Sequence, residues 1–485
     1  MYGEAMPGRA IRLYDNKKGA DMTDVAAKCI REQPRFKGIF SDSKKFYNTI
    51  PLVSSAIYED EWDTISKTVK EGFWEEMIMV LEQEVARYIG TGYAVALSSG
   101  SGAIHMALKL AAEKIYGSAS GIAAPDGLGK GGALAGVKVF CPDFTTAATV
   151  NPVIYEGGEP IFIDSCEEDW GMDPEVLEMA FGRYPNVKIV IMSHPYGFPS
   201  QVQTIKAICE KHGAVLIEDA SESLGARVDC GDKGEGSFTG AIGDYGVLDF
   251  GEGRIITGST GGMLLTNDDY SYRKAQYWAL GSCARAPWHQ HEELGYNYRM
   301  GGLAAGMIRS HLKYLDRHIG RKREIYEKYR AGLGEELMYM NPIGEKTKPN
   351  YWISCVACDS NIQFMESRSE RSYTYTDQHG TASPMEIYDA LKAFGAESMP
   401  AYKPMSMQPI FRNNDQITLD GCRRSYEEFY NDLFWTRSNV AKQCFENCLC
   451  LPSDIRMTGE EQDCIIDIIQ ACFNKVDLDR RIWED

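Results

Sequence analysis

The sequence predicts an α/β fold: a large domain on a mostly parallel sheet covered by helices, and a smaller C-terminal α/β domain. Three observations carry that expectation. Short apolar runs alternate with amphipathic runs between Tyr93 and Asp219, the signature of strand–helix–strand units. A turn of small residues, Ser98-Ser-Gly-Ser-Gly102, separates the first apolar run from a helical one. A long helical stretch from Leu303 to Leu333 then precedes a second, shorter alternation.

The chain has 485 residues, 44% of them hydrophobic, which is enough for two or three domains with ordinary cores. Its net charge is −18 and no basic, aromatic-interleaved run occurs, so nucleic acid and anionic membrane are excluded as partners. The stretch Met1 to Arg9 has no apolar leader core, and no run approaches the roughly 18 apolar residues of a membrane span. The 14 cysteines follow no framework spacing, which reads as reduced thiols in a cytoplasmic protein. Cys355 and Cys358 form a lone Cys-x-x-Cys in an apolar run and are read as core residues.

Residues 1–48 are charged and weakly periodic and read as an extension outside the main domain; 49–320 form the large domain and 321–485 the small one. Helices are expected from Glu59 to Gly72 and from Glu75 to Gly90, the second presenting Met77, Val80, Leu81, Val85 and Tyr88 as one apolar stripe. Tyr93–Leu97 is the first strand and Ala103–Ala112 the helix after the small-residue turn, whose free N–H groups and helix dipole make an anion site. The Gly/Ala-rich segment 117–136 reads as an inserted, mobile loop; it lacks the Gly-Lys-Ser/Thr ending of a P-loop. Strands follow at Val137–Cys141, Glu159–Asp164, Val187–Met192 and Ala214–Asp219, with helices at Pro174–Phe181 and Thr204–His212 between them. Asp219 ends an apolar strand at the carboxyl edge, where such sheets bind ligands. A strand at Tyr351–Ala357 and a helix at Ser383–Phe394 belong to the small domain. His289 and His291 form a His-x-His without a cysteine or carboxylate at ligand spacing, so no metal is expected.

One stretch sets the functional reading: Val247-Leu-Asp249-Phe-Gly-Glu-Gly-Arg254-Ile-Ile-Thr-Gly-Ser-Thr-Gly-Gly-Met263. Together with Gly295-Tyr-Asn-Tyr-Arg299, Pro400-Ala-Tyr-Lys-Pro-Met-Ser406 and Leu449-Cys-Leu-Pro-Ser453, it resembles the DegT/DnrJ/EryC1/StrS sugar aminotransferases over roughly residues 50–475. It is most similar to the nucleotide-sugar 4-aminotransferases of that family. The resemblance implies a fold-type I aminotransferase with a mostly parallel seven-stranded sheet, a homodimer, and a nucleotide sugar or sugar phosphate as ligand. It places Gly100 and Ser101 at the phosphate of pyridoxal 5'-phosphate (PLP), Asp219 at the ring nitrogen, and Asn297 at the neighbouring subunit's phosphate. Glu222, Lys403 and Ser406 fall at sugar-contacting positions.

The same resemblance exposes departures. Arg254 stands where the family has its Schiff-base lysine, Asp249 where a serine binds the phosphate, and Thr146 where an aromatic ring stacks on the pyridine. Met399 replaces an arginine and Ser406 a histidine of the sugar-contacting segment. A guanidinium stays protonated to roughly pH 12, so Arg254 is neither a nucleophile nor a base. A carboxylate at position 249 repels a phosphate by about 4 kcal/mol per charge pair at 4 Å. The leading expectation is therefore a cofactor-free family member that binds or processes a sugar, with Arg254, Asp219 and Glu222 as its reactive groups. The alternatives are a transaminase holding PLP or its amine form (PMP) without a covalent bond, and a non-catalytic subunit of an active paralogue. A cluster Asp219–Arg254–Asp249 is expected to close the cofactor space, with Asp249 reaching the N–H groups of Ser101 and Gly102.

Overall fold

The computed structural model describes residues 27, 28, 30–36, 46, 48–54, 59–117, 132–229, 236–334, 338–358, 383–423 and 439–473. Most of the N-terminal extension and most of the Gly/Ala-rich segment, residues 118–131, lie outside the described residues.

Two helices open the described fold, α1 (Glu59–Glu71) and α2 (Trp74–Ile89). The inward face of α2 is Ile78, Leu81, Val85, Ala86 and Ile89, while Met77 and Tyr88 of the expected stripe flank it half-buried. The large domain then alternates β1 (Tyr93–Leu97), α3 (Gly100–Tyr116), β2 (Lys138–Pro142), α4 (Ala147–Tyr155), β3 (Glu159–Ile163), α5 (Pro174–Arg183), β4 (Ile189–Ser193), α6 (Val202–His212) and β5 (Val215–Asp219). Helix starts are fixed by side-chain caps: Ser99 accepts from Gly102 N at α3, and Asp173 from Glu175 N and Val176 N at α5. A small ribbon, β6 (Arg227–Val228) with β7 (Ser237–Phe238), precedes β8 (Tyr245–Asp249) and β9 (Gly262–Thr266).

The strand order is β1-β9-β8-β5-β4-β2-β3, parallel from β8 to β3, with β9 antiparallel to both its neighbours. The sheet has nine strands rather than seven, because β13 (Gln416–Thr418) pairs parallel with β3 and brings its hairpin partner β14 (Gly421–Arg423). Strands β4 and β5 are buried along their whole length, as expected of strands covered on both faces. Two layers of apolar side chains, one around Leu97, Ile104 and Val247 and one around Phe140, Val190 and Leu216, hold helices against the two faces.

After α7 (Asp269–Ala279), the long helix expected from Leu303 to Leu333 is broken into α8 (Gly302–Leu312) and α9 (Leu315–Leu333). The Tyr314 N–H closes a tight turn on His311 O at 2.8 Å. The break lets α8 pack on α1 and α2 while α9 packs on α12 (Gly459–Phe473). A four-stranded sheet, β10 (Met338–Met340), β11 (Cys355–Cys358), β15 (Cys448–Cys450) and β12 (Met399–Pro400), is covered by α10 (Pro384–Phe394) and α11 (Val440–Asn447). The strand expected from Tyr351 starts only at Cys355. Tyr351 takes φ +56° and Asn350 Oδ1 accepts from Trp352 N at 2.9 Å, which turns the Trp352 ring toward the large domain. Cys355 Sγ faces Cys450 Sγ at 3.3 Å in the buried ladder, both as free thiols.

The described part of the extension is not separate from the body of the protein. Phe36 packs edge-on against Phe394 at 5.5 Å, and the buried Arg35 guanidinium pairs with Glu386 at 2.6 Å. An apolar ring and a charge-matched arginine at this spacing are enough to dock the segment on α10. No helix among the described residues is long and apolar enough to cross a membrane.

Candidate active site

The carboxyl ends of β5 and β8 and the N-terminus of α3 converge on one cleft. Ser99, Gly100, Ser101, Thr146, Thr149, Asp219, Ser221, Glu222, Asp249, Arg254 and Tyr402 are among its lining residues. The approach of α3 to the sheet is close. A Cβ on Gly262 would stand 2.1 Å from the Ser99 carbonyl carbon, and one on Gly100 would stand 2.8 Å from the Asp249 Cβ. Glycine at both positions is what lets the helix end meet the strands.

Arg254 is the charged centre. Its Nε donates to Asp249 Oδ2 at 2.8 Å and its Nη1 to Glu222 Oε1 at 3.2 Å, and its guanidinium lies 4.8 Å from the centroid of the Trp352 ring. Burial works against the charge, but the Glu222 and Asp249 carboxylates outweigh it and hold the pKa above the usual arginine value. Asp249 uses its other oxygen, Oδ1, to accept Gly100 N–H at 3.0 Å, which places a carboxylate on the positive end of α3.

Glu222 accepts from Tyr196 N at 2.8 Å and from Tyr402 Oη at 2.8 Å. Burial raises its pKa, against the lowering by Arg254. Tyr196 and Tyr402 stack at 4.6 Å and form the wall behind it. Asp219, only 6% exposed, accepts Thr149 Oγ1 at 2.7 Å and Ser221 N at 3.1 Å. Glu218 beside it is turned away from the cleft, accepting from Gly240 N, Ile242 N and Gly243 N and pairing with His194.

The expected cluster differs from the observed one in two contacts. Arg254 pairs with Glu222 and Asp249, whereas Asp219 accepts from neutral donors, Thr149 and Ser221. Asp249 takes Gly100 N–H because Gly102 N–H is already held by Ser99 Oγ at 3.1 Å. Thr146 lines the cleft at the start of α4. Ser406 is elsewhere: its N–H and hydroxyl both serve Asp143, at 2.7 and 2.8 Å. Lys403 is half-buried and Asn297 exposed, and neither is a lining residue. Sequence reasoning missed Thr149, Tyr402 and Trp352. Thr149 had a readable signal, three residues after Thr146 at the start of α4; Trp352 had none, because it arrives through the turn at Tyr351.

A parallel sheet with an acidic strand end, a small-residue helix N-terminus opposite it and a second sheet alongside defines the fold-type I aminotransferase architecture. The chain belongs to the DegT/DnrJ/EryC1/StrS aminotransferase family, whose model matches residues 56–470. It is 30% identical over 415 residues to EpsN of Bacillus subtilis (strain 168), a protein named as a pyridoxal phosphate-dependent aminotransferase, covering 83% of this chain and 89% of the relative. It is 26% identical over 369 residues to GDP-perosamine synthase of Vibrio cholerae, covering 76% and 90%. The fold matches that of the Streptococcus pneumoniae protein Spr1654 in its PMP-form, with a TM-score of 0.69 at 18% identity over 89% of this chain and 100% of that one.

These relatives correct the expectation that the chain uses no cofactor: they point to PLP rather than to none. The residues misled because loss of the lysine removes a covalent bond, while the contacts that hold the cofactor non-covalently are separate. The site also offsets part of the repulsion expected from Asp249, since Arg254, shared with Glu222, sets an opposite charge 2.8 Å from that carboxylate. The lining residues fit a non-covalently held cofactor. Asp219 suits a ring nitrogen, and the Ser101 and Thr146 hydroxyls with the Arg254 cation suit an anionic group. Position 254 admits no covalent link.

Proposed function

We propose that this chain is a sugar aminotransferase that takes a nucleotide sugar and holds PLP or PMP without a covalent bond to position 254. The observation that carries the reading is the buried Asp219 carboxylate at the end of β5, in the same cleft as the fixed Arg254 cation. The nucleotide-sugar part rests on the name of the Vibrio cholerae relative. When bound, the cofactor supplies the amino group and the electron sink for exchange between an amino donor and a keto sugar.

The chain's own residues divide the remaining work. Asp219 keeps the charge of the ring nitrogen paired, and Thr149 holds that carboxylate in place through its 2.7 Å hydrogen bond. Arg254, charged at every working pH, orients an anionic group entering the cleft. Glu222, raised by burial and bonded to the Tyr402 hydroxyl, is the carboxyl group that can store a proton beside the reacting centre. The stacked Tyr196 and Tyr402 keep water from that side. We further propose a cytoplasmic homodimer, in which the exposed Asn297 reaches the neighbouring cleft.

The test is to supply the purified protein with PMP and a panel of nucleotide-linked keto sugars and to look for the amino sugar by mass spectrometry. Formation of amino sugar that depends on Asp219 supports the reading. Absence of binding of both PLP and PMP at millimolar concentration contradicts it.

A further inference from the structure

We propose that the hairpin 283–291 carries a Zn2+ site made by Cys283, His289 and His291, independent of the cofactor reading. The sequence offered only a His-x-His pair. The fold supplies the third ligand, because Cys283 and His291 face each other across an antiparallel bridge, and Ala284 N–H closes the hairpin on Gln290 O at 2.8 Å. One ligand atom from each of the three side chains lies within 4.8 Å of the others.

The distances suit a tetrahedral ion. With Zn–S near 2.3 Å and Zn–N near 2.0 Å, a tetrahedral angle sets sulfur and nitrogen about 3.5 Å apart. Cys283 Sγ and His289 Nδ1 are 3.8 Å apart. His291 Nδ1 stands 2.7 Å from Gly281 O, which fixes the proton on that nitrogen and leaves the Nε2 lone pair as the ligand. A thiolate with two imidazoles selects Zn2+ over oxygen-seeking Mg2+ or Ca2+. The Cys283 thiol gives up its proton on binding. Both histidines are solvent-exposed, so water completes the coordination.

The ion would fix a hairpin that is tied directly to the Gly295–Arg299 segment. Gly281 N–H donates to Tyr296 O at 2.9 Å, and Leu280 is bridged to Asn297. The site is structural, holding the segment that presents Asn297.

The probe is Co2+ added to the EDTA-treated full chain, followed by Zn2+. The expected result is a thiolate-to-Co2+ charge-transfer absorption that saturates at one ion per chain and disappears on Zn2+ addition. Cys283→Ser removes that absorption, and His291→Ala weakens binding by at least about tenfold. A second measurement needs no cysteine variant: residue-resolved alkylation of Cys283 slows by about tenfold with Zn2+ in the native chain, and not in His289→Ala/His291→Ala. Absence of the charge-transfer band, its persistence in Cys283→Ser, or alkylation of Cys283 indifferent to Zn2+ overturns the proposal.

Discussion

Arg254 Nε lies 2.8 Å from Asp249 Oδ2, while the other oxygen of that carboxylate accepts Gly100 N–H at 3.0 Å. A cation, an anion and a helix N-terminus thus form one chain of contacts across the cleft. Removing the middle member leaves the Gly100 N–H without its acceptor and Arg254 with Glu222 as its remaining carboxylate. Asp249→Ala is expected to cost about 2 kcal/mol, between the values of exposed and fully buried pairs, since both side chains keep some exposure. Urea unfolding of the variant checks it, and an unchanged midpoint contradicts it.

The same pair governs what a lysine can do at position 254. In Arg254→Lys the amine sits between the Asp249 and Glu222 carboxylates, which favour its protonated form. Borohydride treatment with PLP should therefore fix little pyridoxyl group in this variant and much more in Asp249→Ser/Arg254→Lys. Mass spectrometry of the tryptic peptide distinguishes the two; equal labelling sinks the idea that Asp249 controls the position.

Asp219→Asn keeps the shape of the site and removes its charge. PMP affinity should fall at least about tenfold, the equivalent of 1.4 kcal/mol, while the melting temperature changes little. Fluorescence titration measures this, and undiminished affinity means that Asp219 does not face the ring nitrogen.

Asp143 gives a pH signature. Burial raises its carboxyl from 3.8 to about 6, against the hydrogen bonds from Ser406 and Gln416. The folded state favours the protonated acid, so this contribution is complete below pH 3.8 and is lost as pH rises through about 6. The gap between 3.8 and about 6 is worth about 3 kcal/mol. Relative to Asp143→Asn, the native chain should lose stability between pH 4 and pH 7; parallel stability curves for the two proteins would contradict this.

The large domain was legible because its strands are short apolar runs separated by amphipathic helices, and local pattern is enough to locate such elements. The break at Tyr314 was not, since both halves keep helical periodicity and only their different packing partners separate them. Asp219, Asp249 and Arg254 were visible as positions, and the Arg254–Asp249 pair was expected; the pairing of Arg254 with Glu222 in place of Asp219 was not. Which carboxylate meets Arg254 depends on Tyr196 and Tyr402 holding Glu222 toward it, a contact between residues far apart in the chain. Cys283 escaped notice for a related reason, because its partner His291 is set by a bridge and not by spacing. The cofactor was misjudged because the missing lysine was read as the loss of the whole binding site.

Borohydride reduction of the native chain saturated with PLP separates a cofactor held without a covalent bond from a Schiff base. A cofactor held by Asp219 and its neighbours without a covalent bond gives one bound PLP per cleft that is released on denaturation, with no pyridoxyl group on any peptide in the mass spectrum. A pyridoxyl-lysine recovered in stoichiometric yield would contradict such binding.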